Sequence, residues 1–374
     1  MNIKILTGAL IALLAGAVVR AQPFNSGSDG SYGAMNITSN TTLTVPANGI
    51  FNCTTISVSA GATLTFNKNA LNTPVYLLAT GDVAIDGAIN VSGTSAAGFS
   101  PGLGGPGGFD GGYGGFGIGD NGIGGDGQGP GGGFGVVFQW DAVFGSRTGS
   151  PNTNLYGNAL LVPLIGGSGG GADSGNPGLG GGGGGGALLI GSNTKIAVSG
   201  LIQSLGGNGR GGGSGGAIRL VAPIVTGGGR LSVTGGGGYF SGGPGRIRID
   251  CQDRYAFRSL IFTGNATRGA EMYVFPATVP RLDVVEAAGQ AIPVGTGSTV
   301  QIDLPAGSTT NRTVRVQGRD FTGIVPITVA VVPENRPSSR YNSQIDMSAG
   351  NPAEVTVNVV IPDGTISRVH VWTR

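Results

Sequence analysis

The chain has 374 residues, of which 78 are glycine and only 11% are charged. Its 21 basic and 19 acidic side chains set up no global field to attract nucleic acid or anionic lipid. No strict G-X-Y period runs through it, which excludes collagen, and Val, Ile and Leu strands punctuate the glycine, which excludes pure disorder.

The first residues read as a secretory signal over 1–21. Lys4 supplies the positive start, Ile5 to Val19 the apolar stretch, and Val19-Arg20-Ala21 the cleavage site. A membrane anchor fits less well, because the run is 15 residues and a spanning helix needs roughly 20. No transmembrane segment is expected after signal removal. Removing Lys4 and Arg20 leaves 19 basic against 19 acidic side chains.

Residues 22–50 are rich in Ser, Asn, Thr and Gly and read as an N-terminal cap, with Leu43-Thr44-Val45 as a short strand. Residues 51–93 alternate: Ile56-Ser57-Val58, Leu64-Thr65-Phe66, Val83-Ala84-Ile85 and Ile89-Asn90-Val91. Period two with β-branched residues predicts strands with one buried face.

A unit of about 30 residues then recurs. Val75 to Gly93, Ala187 to Gly207, Ala217 to Gly236 and Arg246 to Gly264 line up. One column holds Tyr76, Leu188, Ile218 and Ile247, and the next Leu78, Ile190, Leu220 and Ile249. A later column holds Ile89, Ile202, Leu231 and Leu260. Leu77, Leu189, Arg219 and Arg248 lie between the first two, so Arg219 and Arg248 should be neighbours on an outer wall. Gly93, Gly206, Gly235 and Gly264 form a corner column, expected to need φ above zero. Such self-similarity predicts a right-handed parallel β-helix over 22–276. Cys53 and Cys251 then lie several layers apart. Coils rise about 4.8 Å each, so the pair exceeds the ~7 Å bridging limit, and two free or buried thiols are expected.

After Gly93 the corner loop expands to 93 residues, 94–186. Its Gly-Gly-X runs fit either packed polyproline-II segments or a mobile loop. It holds Asp110, Asp120, Asp126, Asp141 and Asp173 against Arg147, and nine of the chain's 24 aromatic residues. Calcium between glycines would need a repeating G-G-x-G-x-D pattern. Gly114-Gly115-Phe116-Gly117-Ile118-Gly119-Asp120 misses it by one place and does not repeat, so no metal is expected. Tyr113, Phe116 and Trp140 are the candidate ligand-binding residues, suited to stacking on sugars. The other role open to the loop's aromatics is to pin glycine segments to the coil wall. Gly102, Gly104 and Gly107 match G-x-G-x-x-G, but they follow no strand and open no helix. No cofactor is implied.

Past residue 277 glycine thins out. Strands are expected at Leu282 to Val285, Val300 to Leu304, Thr313 to Val316, Ile324 to Val332, Ile345 to Met347, Val355 to Ile361 and Val369 to Trp372. Seven short strands predict an immunoglobulin-like β-sandwich over 277–374. His370, four residues from the end, reads as an ordinary residue of that sandwich. Catalysis on polysaccharides would need clustered carboxylates. Asp82, Asp86 and Asp250 have no acidic counterpart on neighbouring copies and read as exposed turn and edge residues.

Asn72-Thr73-Pro74-Val75-Tyr76-Leu77-Leu78-Ala79-Thr80-Gly81-Asp82-Val83 and Gly212 to Pro223 resemble glycine-rich secreted bacterial proteins of the β-helix, adhesin-like kind. The resemblance covers roughly residues 40–265. It implies an exported surface or matrix component with no defined catalytic set. The first reading is an extracellular structural or adhesive protein of a bacterial surface or matrix, non-catalytic, with surface glycans or other cell-surface polymers expected as partners. The alternative is a carbohydrate-active enzyme on the same scaffold, and a third reading is ice binding. Deleting 94–186 is expected to leave a folded protein that no longer attaches.

Overall fold

The computed structural model describes residues 24–115, 122–135, 142–144, 154–175, 177–253, 255–295, 299–334 and 336–373. Residues 1–21, the expected signal, lie outside them. The described chain is all-β, with one 3-10 turn at Met347–Ala349 as its only helical element. No helix among the described residues is long and apolar enough to cross a membrane.

Up to residue 269 the chain winds in circuits, and every pairing between strands there is parallel. β1 (Gly33–Ile37) and β2 (Thr41–Thr44) form the first circuit, β3 (Ile50–Val58) and β4 (Thr63–Asn67) the second. β5 (Val75–Ala79), β6 (Val83–Ile85) and β7 (Ala88–Asn90) follow, then β8 (Ala187–Ser192), β9 (Lys195–Val198) and β10 (Leu201–Gln203). β11 (Ala217–Val221), β12 (Ile224–Thr226) and β13 (Arg230–Ser232) precede β14 (Arg246–Asp250), β15 (Ile261–Thr263) and β16 (Asn265–Gly269). The first sheet stacks the start of β3 with β5, β8, β11, β14 and β16. The end of β3 continues the same sheet around a bend, with β1, β6, β9 and β12. A second sheet, which forms the third wall, stacks β2, β4, β7, β10, β13 and β15.

The three walls enclose one aliphatic core. Leu188, Ile218 and Ile247 stack in register, as do Ile190, Leu220 and Ile249. Burying each such side chain contributes about 1.5–3 kcal/mol. The expected register fails at the first copy, where Val75 pairs with Leu188 and Leu77 with Ile190. Tyr76 and Leu78 therefore face out, because a one-residue slip moves every side chain to the other face. Phe262, not Leu260, continues the column of Ile89, Ile202 and Leu231. Of the corner glycines, Gly264 alone has positive φ, at 124°. At Gly93, Gly206 and Gly235 the need is for space: an added Cβ would come within 3.0 Å of backbone in the neighbouring segment.

The described part of 94–186 is packed. Its segments form no strands, yet their backbones bond at every third residue. The amides of Phe109, Gly112 and Gly115 donate to the carbonyls of Gly167, Gly170 and Asp173. Those of Gly184, Gly181 and Gly178 donate back to Phe109, Gly112 and Gly115. A step of three is the period of polyproline II, whose successive residues face different neighbours. Gly182 and Gly185 also donate to Gly211 and Ser214, so the turn after β10 belongs to the same bundle.

Seven antiparallel strands follow among the described residues: β17 (Arg281–Ala287), β18 (Gln290–Ala291), β19 (Asn311–Arg319), β20 (Ile324–Pro333), β21 (Ser339–Asp346), β22 (Ala353–Val360) and β23 (Ser367–Thr373). They form two sheets, β18-β17-β19-β22 and β21-β20-β23. Val314 and Val316 of one share a core with Ile327, Val329 and Val331 of the other. Val300 to Leu304 forms no strand. Ile345 to Met347 is the end of β21 running into the 3-10 turn. Arg340 to Gln344 carries no apolar alternation, which hid the start of that strand.

Candidate functional site

The outer face of the first sheet is covered. Phe144, Tyr156, Leu161 and Leu164 from the insertion pack there with Leu78, Leu189, Ala217 and Val221, and with Phe24 and Val274. Phe144 and Tyr156 meet at 4.7 Å between ring centroids. The Tyr156 hydroxyl donates to the Gly166 carbonyl at 2.7 Å, and burial pushes its pKa upward. Deleting 94–186 would strip this cover, so the deletion does not isolate a binding role. Pinning is the role that Phe144 and Tyr156 fill. Tyr113 is half-buried, and its carbonyl accepts from Gly125 within the bundle. Phe116 and Trp140 lie outside the described residues.

Arg219 and Arg248 are register partners on β11 and β14 and point away from the core, as their column requires. Both are buried, and Asp250 between them is fully buried. Arg219 Nε and Nη2 donate to Asp250 Oδ2 at 3.2 and 3.1 Å. Arg248 Nε and Nη2 donate to Oδ1 at 2.9 and 2.6 Å. The Glu271 carbonyl accepts from Arg219 at 3.2 Å, and the Tyr273 ring lies 5.0 Å from the guanidinium. Asp250 is thus no exposed edge carboxylate. It bridges two guanidiniums under a lid of chain, out of reach of a polymer.

The insertion carries a second polar cluster, facing β23. Asp110 accepts from Lys68 at 2.7 Å, from the Gly104 amide at 2.8 Å and from Arg368 at 3.1 Å. Burial pushes the Asp110 carboxyl upward, but Lys68 and its other partners outweigh it and hold it below the ordinary value. His370 Nε2 lies 3.0 Å from Gln128 Oε1, and its ring meets Phe109 edge-on at 5.9 Å. It is therefore a contact between the C-terminal sheets and the bundle rather than an ordinary sandwich residue. Burial, aided by Arg368 and opposed by Asp110, lowers its pKa to about 4. Asp173 pairs with Arg210 at 3.4 Å. Asp120 and Asp141 lie outside the described residues, and no group of three potential ligands for a metal is found among the described ones.

An open concavity lies at the bend between the second and third walls. It is a groove of about 420 Å³, with turns of four successive circuits along its length. Gly61, Gly87, Gly200 and Gly229 line it, and Thr63, Asp86, Ser199 and Arg230 supply polar groups. Asp86 is exposed at the rim. Asp82, also exposed, accepts from Thr194 at 2.6 Å and lies 3.8 Å from Lys195. The recurrence of Gly87, Gly200 and Gly229 was the sequence signal for this groove. Its meaning depended on which side chains flank those turns. Compared with protein-family models, curated proteins and solved structures, the chain matches none.

Proposed function

We propose that this is a secreted, non-catalytic structural or adhesive protein of a bacterial surface or matrix. Its stacked circuits are read as a right-handed parallel β-helix, and its C-terminal sheets as an immunoglobulin-like sandwich. The observation that carries the reading is that one network of close contacts ties all three parts together. The bundle bonds to the circuit turns through Gly182 and Gly185, and to the C-terminal sheets through Asp110 and Asp126. A rigid spacer needs that continuity, whereas a mobile active-site lid does not. Surface glycans or other cell-surface polymers are the proposed partners, with Tyr113 among the contacts at the bundle.

Attachment of the purified protein to intact cells and to extracted matrix tests this. Retention that Tyr113→Ala weakens supports the reading. The enzyme alternative predicts release of reducing or unsaturated ends from polysaccharides, lost in Asp86→Asn or Asp82→Asn. Such turnover would replace the proposal.

A further inference from the structure

The outward face of the third wall carries a single uncharged polar column. Thr42, Thr65, Asn90, Gln203, Ser232 and Thr263 are register partners across six strands. Their neighbours Leu64, Ile89, Ile202 and Leu231 point into the core, so this column points out. Thr42 and Thr65 join hydroxyls at 2.7 Å, and the Asn90 side chain accepts from the Ser92 amide. The side chains of Gln203, Ser232 and Thr263 form no hydrogen bond with other described residues. The column is about 24 Å long at roughly 4.8 Å per strand.

One step across the sheet, Thr63, Ala88, Leu201, Arg230 and Ile261 form a second column. Four of them, all but Ile261, also line the groove. Ile261 is 49% exposed. Arg230 is the one charged side chain among the described residues of these six strands, and Asp86 at the groove rim balances it.

We propose that this face binds a neutral polysaccharide chain laid along the stack. The assignment rests on the adhesive reading above and names its ligand. Amides and hydroxyls with free donors and acceptors match hydroxyl-rich sugars, and the Leu201 and Ile261 side chains suit their apolar faces. An anionic polymer would find one cation against one carboxylate, which gives no net attraction. A planar ice lattice fits poorly, because Asn90 and Gln203 stand taller than Thr65 and Ser232.

The test is retention of the full chain on insoluble neutral glucan and chitin, with polygalacturonate as the acidic counterpart. Wild type is expected on a neutral polymer and not on the acidic one. Gln203→Ala/Ser232→Ala should weaken that binding at least tenfold while keeping the wild-type unfolding midpoint. A single Ser232→Tyr, which blocks the column, should do the same. No neutral polymer bound, retention on polygalacturonate alone, or variants that bind like wild type would each overturn the assignment. Cell attachment measured beside it separates the two claims. Attachment that persists in the column variants leaves the adhesive reading standing and removes this face from it.

Discussion

Asp126 lies in the glycine-rich insertion and Ser338 just before β21, 212 residues further along, and one carboxylate oxygen accepts from both the Ser338 amide (2.8 Å) and its hydroxyl (2.6 Å). The other oxygen accepts from the Gly135 amide at 2.7 Å. Asp126 is 4% exposed, and burial raises its pKa against these hydrogen bonds. Removing the acceptor takes these hydrogen bonds from the Gly135 and Ser338 amides, which costs about 1–3 kcal/mol. Asp126→Ala should therefore lower the urea midpoint and speed proteolysis between the bundle and the C-terminal sheets. Ser338→Ala, which keeps the amide bond, should do so less. Equal stability of both variants and wild type would show that this contact does not hold the parts together.

Asp250 answers two buried guanidiniums, so its loss leaves charge with no counter-ion. Asp250→Ala is expected to destabilise by about 3–5 kcal/mol. Replacing the trio together, Arg219→Met/Arg248→Met/Asp250→Leu, should recover most of that, because the desolvation cost goes with the charges. Chemical denaturation of both variants decides. A triple variant no better than the single would mean that geometry, not charge, is what the trio provides.

The bundle predicts an unusual contrast among glycines. A Cβ on Gly170 would run into the backbone of Gly211, while one on Gly228 would meet nothing within 4 Å. Gly170→Ala should lose folded yield or several kcal/mol, by the overpacking cost of a rigid interior. Gly228→Ala should match wild type. Thermal melts of the two suffice, and tolerance of Gly170→Ala would contradict the packed bundle.

His370 sets an acid limit. Its folded pKa of about 4 lies below the ordinary 6.5. Above pH 6.5 the ring is neutral in both states and contributes no pH dependence. Between 6.5 and 4 the unfolded chain takes up a proton that the folded chain refuses, so stability falls as pH falls. His370 is only half-buried as a residue, which discounts the loss to about 2 kcal/mol. Asp110, held below its ordinary value, adds its own loss at lower pH. Asp126, raised by burial, partly offsets it. His370→Gln should flatten the slope of unfolding free energy between pH 6.5 and 4.5. An unchanged slope would place the pH dependence elsewhere.

Cys53 and Cys251 are both buried and are not joined in a disulfide. Burial pushes Cys53 up to about 11, so little thiolate forms at neutral pH. Neither thiol should react with a thiol reagent at pH 8 until the chain is unfolded. Rapid labelling of the native protein would contradict the burial.

The 29- and 30-residue recurrence of aliphatic residues was enough to place Leu188, Ile218 and Ile247 on one column, because strand periodicity and repeat spacing are local properties. It determined the all-β class and the neighbouring positions of Arg219 and Arg248. The sequence could not choose between Val75 and Tyr76 for the first copy, since both are apolar and register depends on the partner strand. Nor could it show that Asp250 is buried, that His370 meets Gln128, or that Gln203 and Ser232 share an open face. Those outcomes depend on chain segments up to 258 residues apart meeting, as Asp110 and Arg368 do. Glycine made such approach possible, because only backbones without side chains can pack at bonding distance on several sides at once.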